Sequence, residues 1–281
     1  MTPRNRYEPV ELPCGVVPGG DADRLRVGVR SLTGDEEWLL ADRRHEYAAV
    51  VATALLDVCV EGLPEGGSAA LSVGDREALL LSVRRATFGE TVQCVRACSS
   101  CGEQLDLEFA IRDLLHPAYG RRGPVFEAEL GGHVVRFRLP TGADQEAASR
   151  AAVRDGVERA GEDLIRACVL SVSGPDGAAT ARDRLPGEVV LALSGEISRC
   201  DPQAELTVVT TCAVCGDPVE SLFDSFAFLR SEVGSGRGLL TEVHRLASYY
   251  HWSERDILAL PTRRRRAYLS LREEALAGGR S

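Results

Sequence analysis

The chain repeats itself, and this limits its possible folds more than any other feature of the sequence. One matched block would mean little, but four blocks recur in the same order. They are Val29–Gly34 with Phe137–Gly142, Leu55–Val60 with Leu164–Val169, Cys98–Gly102 with Cys212–Gly216, and the apolar positions Leu105, Phe109 and Leu115 with Val219, Phe223 and Leu229. A fixed order of recurring blocks predicts two copies of one structural unit. We place these copies at residues 7–118 and 124–231.

Each copy is predicted to combine strands and helices. Apolar and polar residues alternate over Leu25–Leu32 and over Val134–Leu139, which predicts a strand that runs into a Thr-Gly turn. A helix is expected over Asp75–Arg85, with Asp75 as its N-cap and Gly89 beyond its end. Short strands are expected on both sides of each Cys-x-x-Cys knuckle. We therefore predict the fold class α+β, with two tandem copies related by a pseudo-twofold axis.

The last part of the chain, residues 236–278, is predicted to be a helical tail. Apolar residues recur there at helical spacing. Ser253 and Asp256 have the spacing of a capped helix start, and Pro261 would end that short helix. Thr262 would then cap a last helix. The tail is thus expected to be an appendage to the two copies.

The four cysteines of the repeated motifs are the candidates for metal binding. They are Cys98, Cys101, Cys212 and Cys215. Two thiolates two residues apart, before a glycine turn, can both face one Zn²⁺, and a tetrahedral structural site needs two such pairs. The pairs are roughly 110 residues apart, farther than in a local zinc motif, but a twofold relation between the copies would bring their turns together. We predict one structural zinc per chain, with no open coordination position.

Two other states of these thiols stay open. They could be reduced thiols without a metal, or one pair could be a redox dithiol, although the sequence lacks the strand–Cys-x-x-Cys–helix order of thioredoxins. The odd count of nine cysteines argues against a disulfide framework. Cys59 and Cys168 fall at matched apolar positions and are interpreted as core residues, whereas Cys94 and Cys200 have no counterpart.

The sequence shows no catalytic motif. All 33 basic residues are arginine, which excludes lysine Schiff bases and the phosphate-loop lysine. The five histidines belong to no motif, and neither Gly-x-Ser-x-Gly nor His-Glu-x-x-His occurs. Asp35, Glu36 and Glu37 are interpreted as the acidic first turn of a helix. We expect a protein that is not an enzyme.

The charge distribution separates the tail from the rest of the chain. The net charge is -9, which would repel a nucleic-acid backbone, but residues 241–281 carry 8 arginines against 5 acidic residues. The run Arg263, Arg264, Arg265 and Arg266 could contact nucleic acid or an acidic partner, or could be the solvated face of a helix end. No signal peptide and no apolar run of about 18 residues is present, so a soluble, cytoplasmic protein without membrane partners is expected.

Several short blocks resemble the baseplate hub assembly proteins of T-even-like contractile-tailed phages and their relatives in phage-like contractile injection clusters. In the first half they are Val10-Glu-Leu-Pro, Leu32-Thr-Gly-Asp-Glu-Glu37, and Leu79-Leu80 before Cys98-x-x-Cys101. In the second half they are Asp201-Pro202, Cys212-x-x-Cys-Gly216, Phe223-Asp224, Glu242-Val-His-x-Leu-Ala247, Tyr250-His-Trp-Ser-Glu254 and Asp256-Ile-Leu-Ala-Leu260. Leu12-Pro-Cys14-Gly departs from the Leu-Pro-Ser-x-Gly turn of the phage relatives, so any role of that serine does not carry over.

The resemblance implies a non-enzymatic baseplate component or assembly factor that binds hub or tube proteins of a contractile apparatus, in the cytoplasm or in the assembled particle. The expected partner contacts are Tyr249, Tyr250, Trp252 and the four arginines 263–266, because aromatic residues and arginine dominate interface energetics. The aromatic cluster could equally be the core of the tail itself. The alternatives are a zinc-ribbon protein that binds nucleic acid and, with less support, a thiol oxidoreductase.

Overall fold

The structure, a computed structural model, describes residues 6–16, 25–174 and 177–278. Helices and antiparallel sheets alternate along these residues, which confirms the predicted α+β class. The strands are β1 (Glu8–Glu11), β2 (Arg26–Val29), β3 (Val60–Glu61), β4 (Thr91–Ala97), β5 (Gln104–Ala110), β6 (Phe126–Leu130), β7 (His133–Phe137), β8 (Val169–Ser173), β9 (Thr207–Thr211) and β10 (Pro218–Leu222). The α-helices are α1 (Gly34–Asp42), α2 (Ala48–Cys59), α3 (Val73–Phe88), α4 (Ile111–Leu114), α5 (Gly142–Asp155), α6 (Val157–Cys168), α7 (Gly187–Cys200), α8 (Ser225–Val233), α9 (Gly236–Tyr250), α10 (Glu254–Leu258) and α11 (Thr262–Gly278).

The order of elements from β1 to α4 is the same as the order from β6 to α8. Each of these two units begins with a three-stranded antiparallel sheet, β1-β2-β3 or β6-β7-β8, in which two helices connect the second strand to the third. A further helix, α3 or α7, then leads to a two-stranded hairpin, β4–β5 or β9–β10, and to a last helix. This order is what a tandem repeat would produce, and the duplication itself stays a prediction from the sequence.

In the first unit, β2 turns into α1 at Thr33 and Gly34, a turn that we call elbow 1. The Thr33 N–H donates to the Glu36 carboxylate at 2.8 Å, which forms one half of a capping box. Arg30 donates to both oxygens of the same carboxylate, at 2.8 and 3.0 Å. Burial opposes ionisation, but the hydrogen bonds from Arg30 and Thr33 lower the pKa of Glu36. Glu36 and Glu37 of the acidic first turn are therefore buried and paired, whereas Asp35 is exposed.

Elbow 2, at Thr141 and Gly142, repeats this chemistry in the second unit. Arg138 donates to both oxygens of Asp144 at 2.6 and 2.9 Å, and the Thr141 N–H donates to the same carboxylate at 2.8 Å. A bidentate arginine–carboxylate pair fixes the orientation of both groups. Each strand therefore enters its helix at a set angle.

Each elbow receives the start of a helix from another part of the chain. The Val73 N–H donates to the Pro140 carbonyl at 3.0 Å, which seats α3 of the first unit on elbow 2. The Thr262 N–H donates to the Leu32 carbonyl at 3.0 Å, which seats α11 of the tail on elbow 1. These two contacts join the units to each other and the tail to the first unit.

Each of the two units also contributes side chains to the hydrophobic core of the other. Phe226 and Leu229 of α8, in the second unit, are buried in the core of the first. Tyr119, which follows the first unit, is buried in the core of the second. Cys59 and Cys168 are fully buried at matched positions in these cores, as predicted.

The start of α3 differs from the prediction. The helix begins at Val73, and the side chain of Ser72, not Asp75, is the N-cap, because its oxygen accepts a hydrogen bond from the Asp75 N–H. The Asp75 carboxylate instead accepts hydrogen bonds from the backbone N–H groups of Cys14 and Gly15, at 2.8 and 2.9 Å. Asp75 thus holds the N-terminal segment against α3 rather than capping the helix.

The tail follows the sequence pattern closely. Ser253 caps α10 as predicted, since its hydroxyl oxygen accepts a hydrogen bond from the Asp256 N–H at 3.2 Å. Thr262, predicted as a cap, is instead the first residue of α11, directly after Pro261, and its hydroxyl donates to Leu32 and Glu37 of the first unit. No helix in the described part of the chain is long and apolar enough to cross a membrane.

Candidate metal centre

The two hairpins place four cysteines at one point. Cys98 Sγ lies 3.7 Å from Cys215 Sγ, and Cys101 Sγ lies 3.7 Å from Cys212 Sγ. All four sulfur atoms lie within 4.8 Å of one another. Each close contact joins the first cysteine of one motif to the second cysteine of the other. The structure therefore brings together all four residues that the sequence singled out.

Each knuckle is shaped by the same backbone turn. In the first, the Cys98 N–H donates to the Glu103 carbonyl at 2.8 Å, and the Gly102 N–H donates to the Cys98 carbonyl at 2.9 Å. Gly102 has a φ of 77°, a left-handed conformation that glycine adopts without steric cost. In the second knuckle, the Cys212 N–H donates to the Asp217 carbonyl and the Gly216 N–H donates to the Cys212 carbonyl, both at 2.9 Å. Gly216 has a φ of 79°.

The sulfur positions fit a tetrahedral metal ion. A metal–sulfur bond of about 2.3 Å gives about 3.8 Å between sulfur atoms in a regular tetrahedron, close to the two observed distances. Backbone N–H groups of Cys101 and Ser100 donate to the Cys98 sulfur and lower its pKa to about 7, whereas burial and the neighbouring cysteines raise the pKa of Cys101 and that of Cys215. A thiolate is the form that binds a metal. Four sulfur donors at this spacing suit zinc or iron.

The environment of the site is closed on one side. Cys98 and Cys212 are buried against Leu105 and Val219, whereas Cys101 and Cys215 are exposed. At the other end of the hairpins, the matched residues Phe109 and Phe223 make an edge-to-face contact with ring centroids 5.8 Å apart. The hairpins are thus held together by packing at their base and by the cysteines at their tips.

The other cysteines take no part in this cluster. Burial raises the pKa of Cys14, Cys59 and Cys168 to about 12, which keeps them as thiols. Cys94 and Cys200, the unmatched cysteines, belong to no group of metal-binding side chains among the described residues.

The four consecutive arginines of the tail differ in their exposure to solvent. Arg265 is fully buried and forms ion pairs with Glu37 and with Glu242, so its charge is used inside the molecule. Arg263, Arg264 and Arg266 are exposed. Only the helical period indicates this difference in the sequence, because it turns about one residue in four of a helix toward the rest of the molecule.

The aromatic residues of the tail contact one another. Tyr250 and Trp252 are stacked with ring centroids 4.8 Å apart, and both pack with Tyr268 on the buried residues of the tail. Tyr249 is 41% exposed. Of the predicted aromatic contacts, Tyr250 and Trp252 therefore contribute to the core of the tail, and Tyr249 is the most accessible.

Two sets of functional interactions lie outside the sequence predictions. The first set is the ion pairs of Arg265 with Glu37 and Glu242. The second is the hydrogen bonds by which Arg30 and Arg138 bind the carboxylates at the two elbows. A signal for the elbow pairs was present, because an arginine precedes an acidic residue by six positions in both copies. The Arg265 pairs join residues that are remote in sequence and have no such local pattern.

A model of the family described as T4 bacteriophage base plate protein matches residues 16–228 of the chain. The matched range contains both elbows, both hairpins and all four cysteines of the cluster. No curated protein and no solved structure matches the chain.

Proposed function

Because the chain belongs to the T4 bacteriophage base plate protein family, we propose that it is a non-enzymatic component or assembly factor of the baseplate hub in a phage tail or a phage-like contractile injection system. The single observation that carries this proposal is the family match over residues 16–228. The protein would act in the cytoplasm during assembly or as part of the finished particle.

The cysteine cluster supports a structural role for a bound zinc ion. Cys98, Cys101, Cys212 and Cys215 would supply all four ligands, two from each unit, which leaves no coordination position for a water or a substrate. Zinc bound in this way supplies stability, and one ion per chain would link the two hairpin tips. The matched knuckles and the repeated order of elements support an origin by internal duplication.

The exposed part of the tail supports a role in binding the partner. Arg263, Arg264 and Arg266 are exposed on α11, on a chain whose net charge is -9. Exposed Tyr249 lies on α9, which packs against α11. We propose that this surface contacts an acidic surface on a hub or tube protein, since aromatic and arginine side chains are frequent in interface centres.

The test is co-purification of tail proteins with the affinity-tagged full chain from cells that produce the contractile particle. The expected result is recovery of hub or tube proteins, identified by mass spectrometry. The triple substitution of Arg263, Arg264 and Arg266 by Glu should reduce recovery at least tenfold. The same triple change at exposed Arg150, Arg154 and Arg159 is the matched control and should leave recovery unchanged.

Failure to recover any hub or tube protein with the unsubstituted chain would contradict the proposed function. Equal loss of recovery in both triple variants would contradict the tail as the contact surface, because the effect would then follow from net charge alone.

A further inference from the structure

A groove opens on one side of the paired hairpins, and we call it the inter-hairpin groove. Its volume is about 340 Å³. Its lining includes Cys94, Val95 and Arg96 of β4 together with residues of β5, β9, β10 and α8. Its apolar floor includes Phe109 and Phe223, whose rings meet at the base of the hairpins.

Strand β4 has an unpaired edge beside this groove. Within the described residues, β4 pairs with β5 alone and β10 pairs with β9 alone, so each has one edge without a partner strand. Three consecutive residues of β4 line the groove, which shows that its backbone, and not only one face, borders the space. An open edge presents unpaired N–H and C=O groups to any extended chain that can lie beside it.

The apolar side chains at the groove are unusually accessible. Val95 is 57% exposed and Leu222 is 64% exposed, and both line the groove. Exposed apolar side chains beside an open strand edge are typical of a protein-binding site.

The charges at the ends of the groove differ in sign. Arg96 lies near the cysteine end, and among the described residues it has no ion-pair partner. Asp224 lies at the other end, where its carboxylate accepts a hydrogen bond from the Ala227 N–H at the start of α8. A complementary ligand is therefore acidic at one end and basic at the other.

We propose that the inter-hairpin groove binds an extended segment of another protein as an added strand on the edge of β4. Alternate apolar side chains of that segment fill the groove, an acidic residue pairs with Arg96, and a basic residue lies near Asp224. The main-chain hydrogen bonds supply affinity and the apolar and charged side chains supply specificity, as in other cases of strand addition. This inference does not depend on the baseplate assignment.

The test uses a library of twelve-residue peptides displayed on filamentous phage, selected on the immobilised full chain. The expected result is enrichment of peptides in which apolar residues alternate and an acidic and a basic residue lie at opposite ends. Leu222→Arg, in the groove, should weaken binding of the enriched peptides at least tenfold. Leu191→Arg is the matched control, because Leu191 is 76% exposed on α7 and lies outside the groove.

Two further readouts test the orientation and the mode of binding. Arg96→Glu should replace the acidic end of the selected peptides with a basic one. A synthetic enriched peptide should protect amides of residues 91–97 from hydrogen exchange, since an added strand bonds to the backbone of β4. No enrichment, equal binding to the Leu222→Arg variant, or protection that leaves residues 91–97 unchanged would each overturn the proposal.

Discussion

Cys98 Sγ lies 3.7 Å from Cys215 Sγ, so the first cysteine of one knuckle faces the second cysteine of the other. Cys101 and Cys212 make the reciprocal contact at the same distance. A metal ion held by these sulfurs would take two ligands from each unit. Its removal would therefore leave the hairpin tips to be held by the packing of Cys98 and Cys212 with Leu105 and Val219.

We predict that the purified chain contains one zinc ion and that Cys98→Ser removes it. The expected decrease in melting temperature is roughly 10 °C, which corresponds to a few kcal/mol at about 2–4 °C per kcal/mol for a chain of this size. Elemental analysis and calorimetry with and without a chelator check both parts. Cys94→Ser, on the same hairpin, should keep the metal. Equal loss in both variants, iron in place of zinc, or a chain without metal would contradict the zinc site.

We predict that Arg265→Ala destabilises the protein by about 3–5 kcal/mol, because it leaves the buried carboxylate of Glu37 without its counter-charge. Arg263→Ala removes an exposed arginine of the same helix and should change the free energy of unfolding by less than about 0.5 kcal/mol. Urea unfolding of the two variants gives the comparison. Similar midpoints would show that the buried ion pair does not hold the tail.

We predict that Gly34→Ala loosens the tail from elbow 1. A Cβ atom at Gly34 would lie 2.7 Å from Leu258 Cδ2 and 2.9 Å from Leu258 Cα, and the backbone atom cannot rotate away. The expected cost is about 1–3 kcal/mol, with faster amide exchange in α10 and α11. Gly161→Ala, in the interior of α6, meets no atom within 4 Å and should stabilise the helix by about 0.5–1 kcal/mol. Unchanged exchange in the tail of the Gly34→Ala variant would be evidence against the contact.

We predict that Asp75 makes the protein less stable as the pH rises from about 4 to 7. Burial raises the pKa of Asp75 to about 7, although two backbone N–H groups donate to its carboxylate. The folded chain therefore keeps a proton that the unfolded chain has released, and stability present below the unfolded pKa is lost as the pH approaches the folded pKa. Asp75→Asn cannot titrate, so its loss of stability between pH 5 and pH 8 should be smaller.

Unfolding free energies of the wild type and the Asp75→Asn variant, measured at both pH values, provide the check. Asp106→Asn, at an exposed position on β5, is the control and should behave like the wild type. The same pH dependence in all three proteins would refute the prediction for Asp75.

Local features of the structure were predictable from the sequence where the interacting groups are only a few residues apart. The hairpins around the Cys-x-x-Cys motifs, the Ser253 cap and the end of α3 before Gly89 are of this kind. The cap of α3 was assigned to Asp75 instead of Ser72, because both residues can cap a helix and the choice depends on which side chain has another partner. Asp75 has such partners in the backbone of Cys14 and Gly15.

The sequence by itself determined the α+β class, the turns that shape each knuckle, and the four cysteines that could share a metal. Hydrogen bonds between near neighbours and the alternation of apolar residues are sufficient for these features. Only the tertiary structure decided that Cys98 faces Cys215, that Arg265 is buried while Arg264 is exposed, and that an open groove lies beside β4. These features depend on contacts such as Cys98 with Cys215 and Arg265 with Glu37, which join residues more than a hundred positions apart. The geometry of such contacts depends on how the two cores pack against each other.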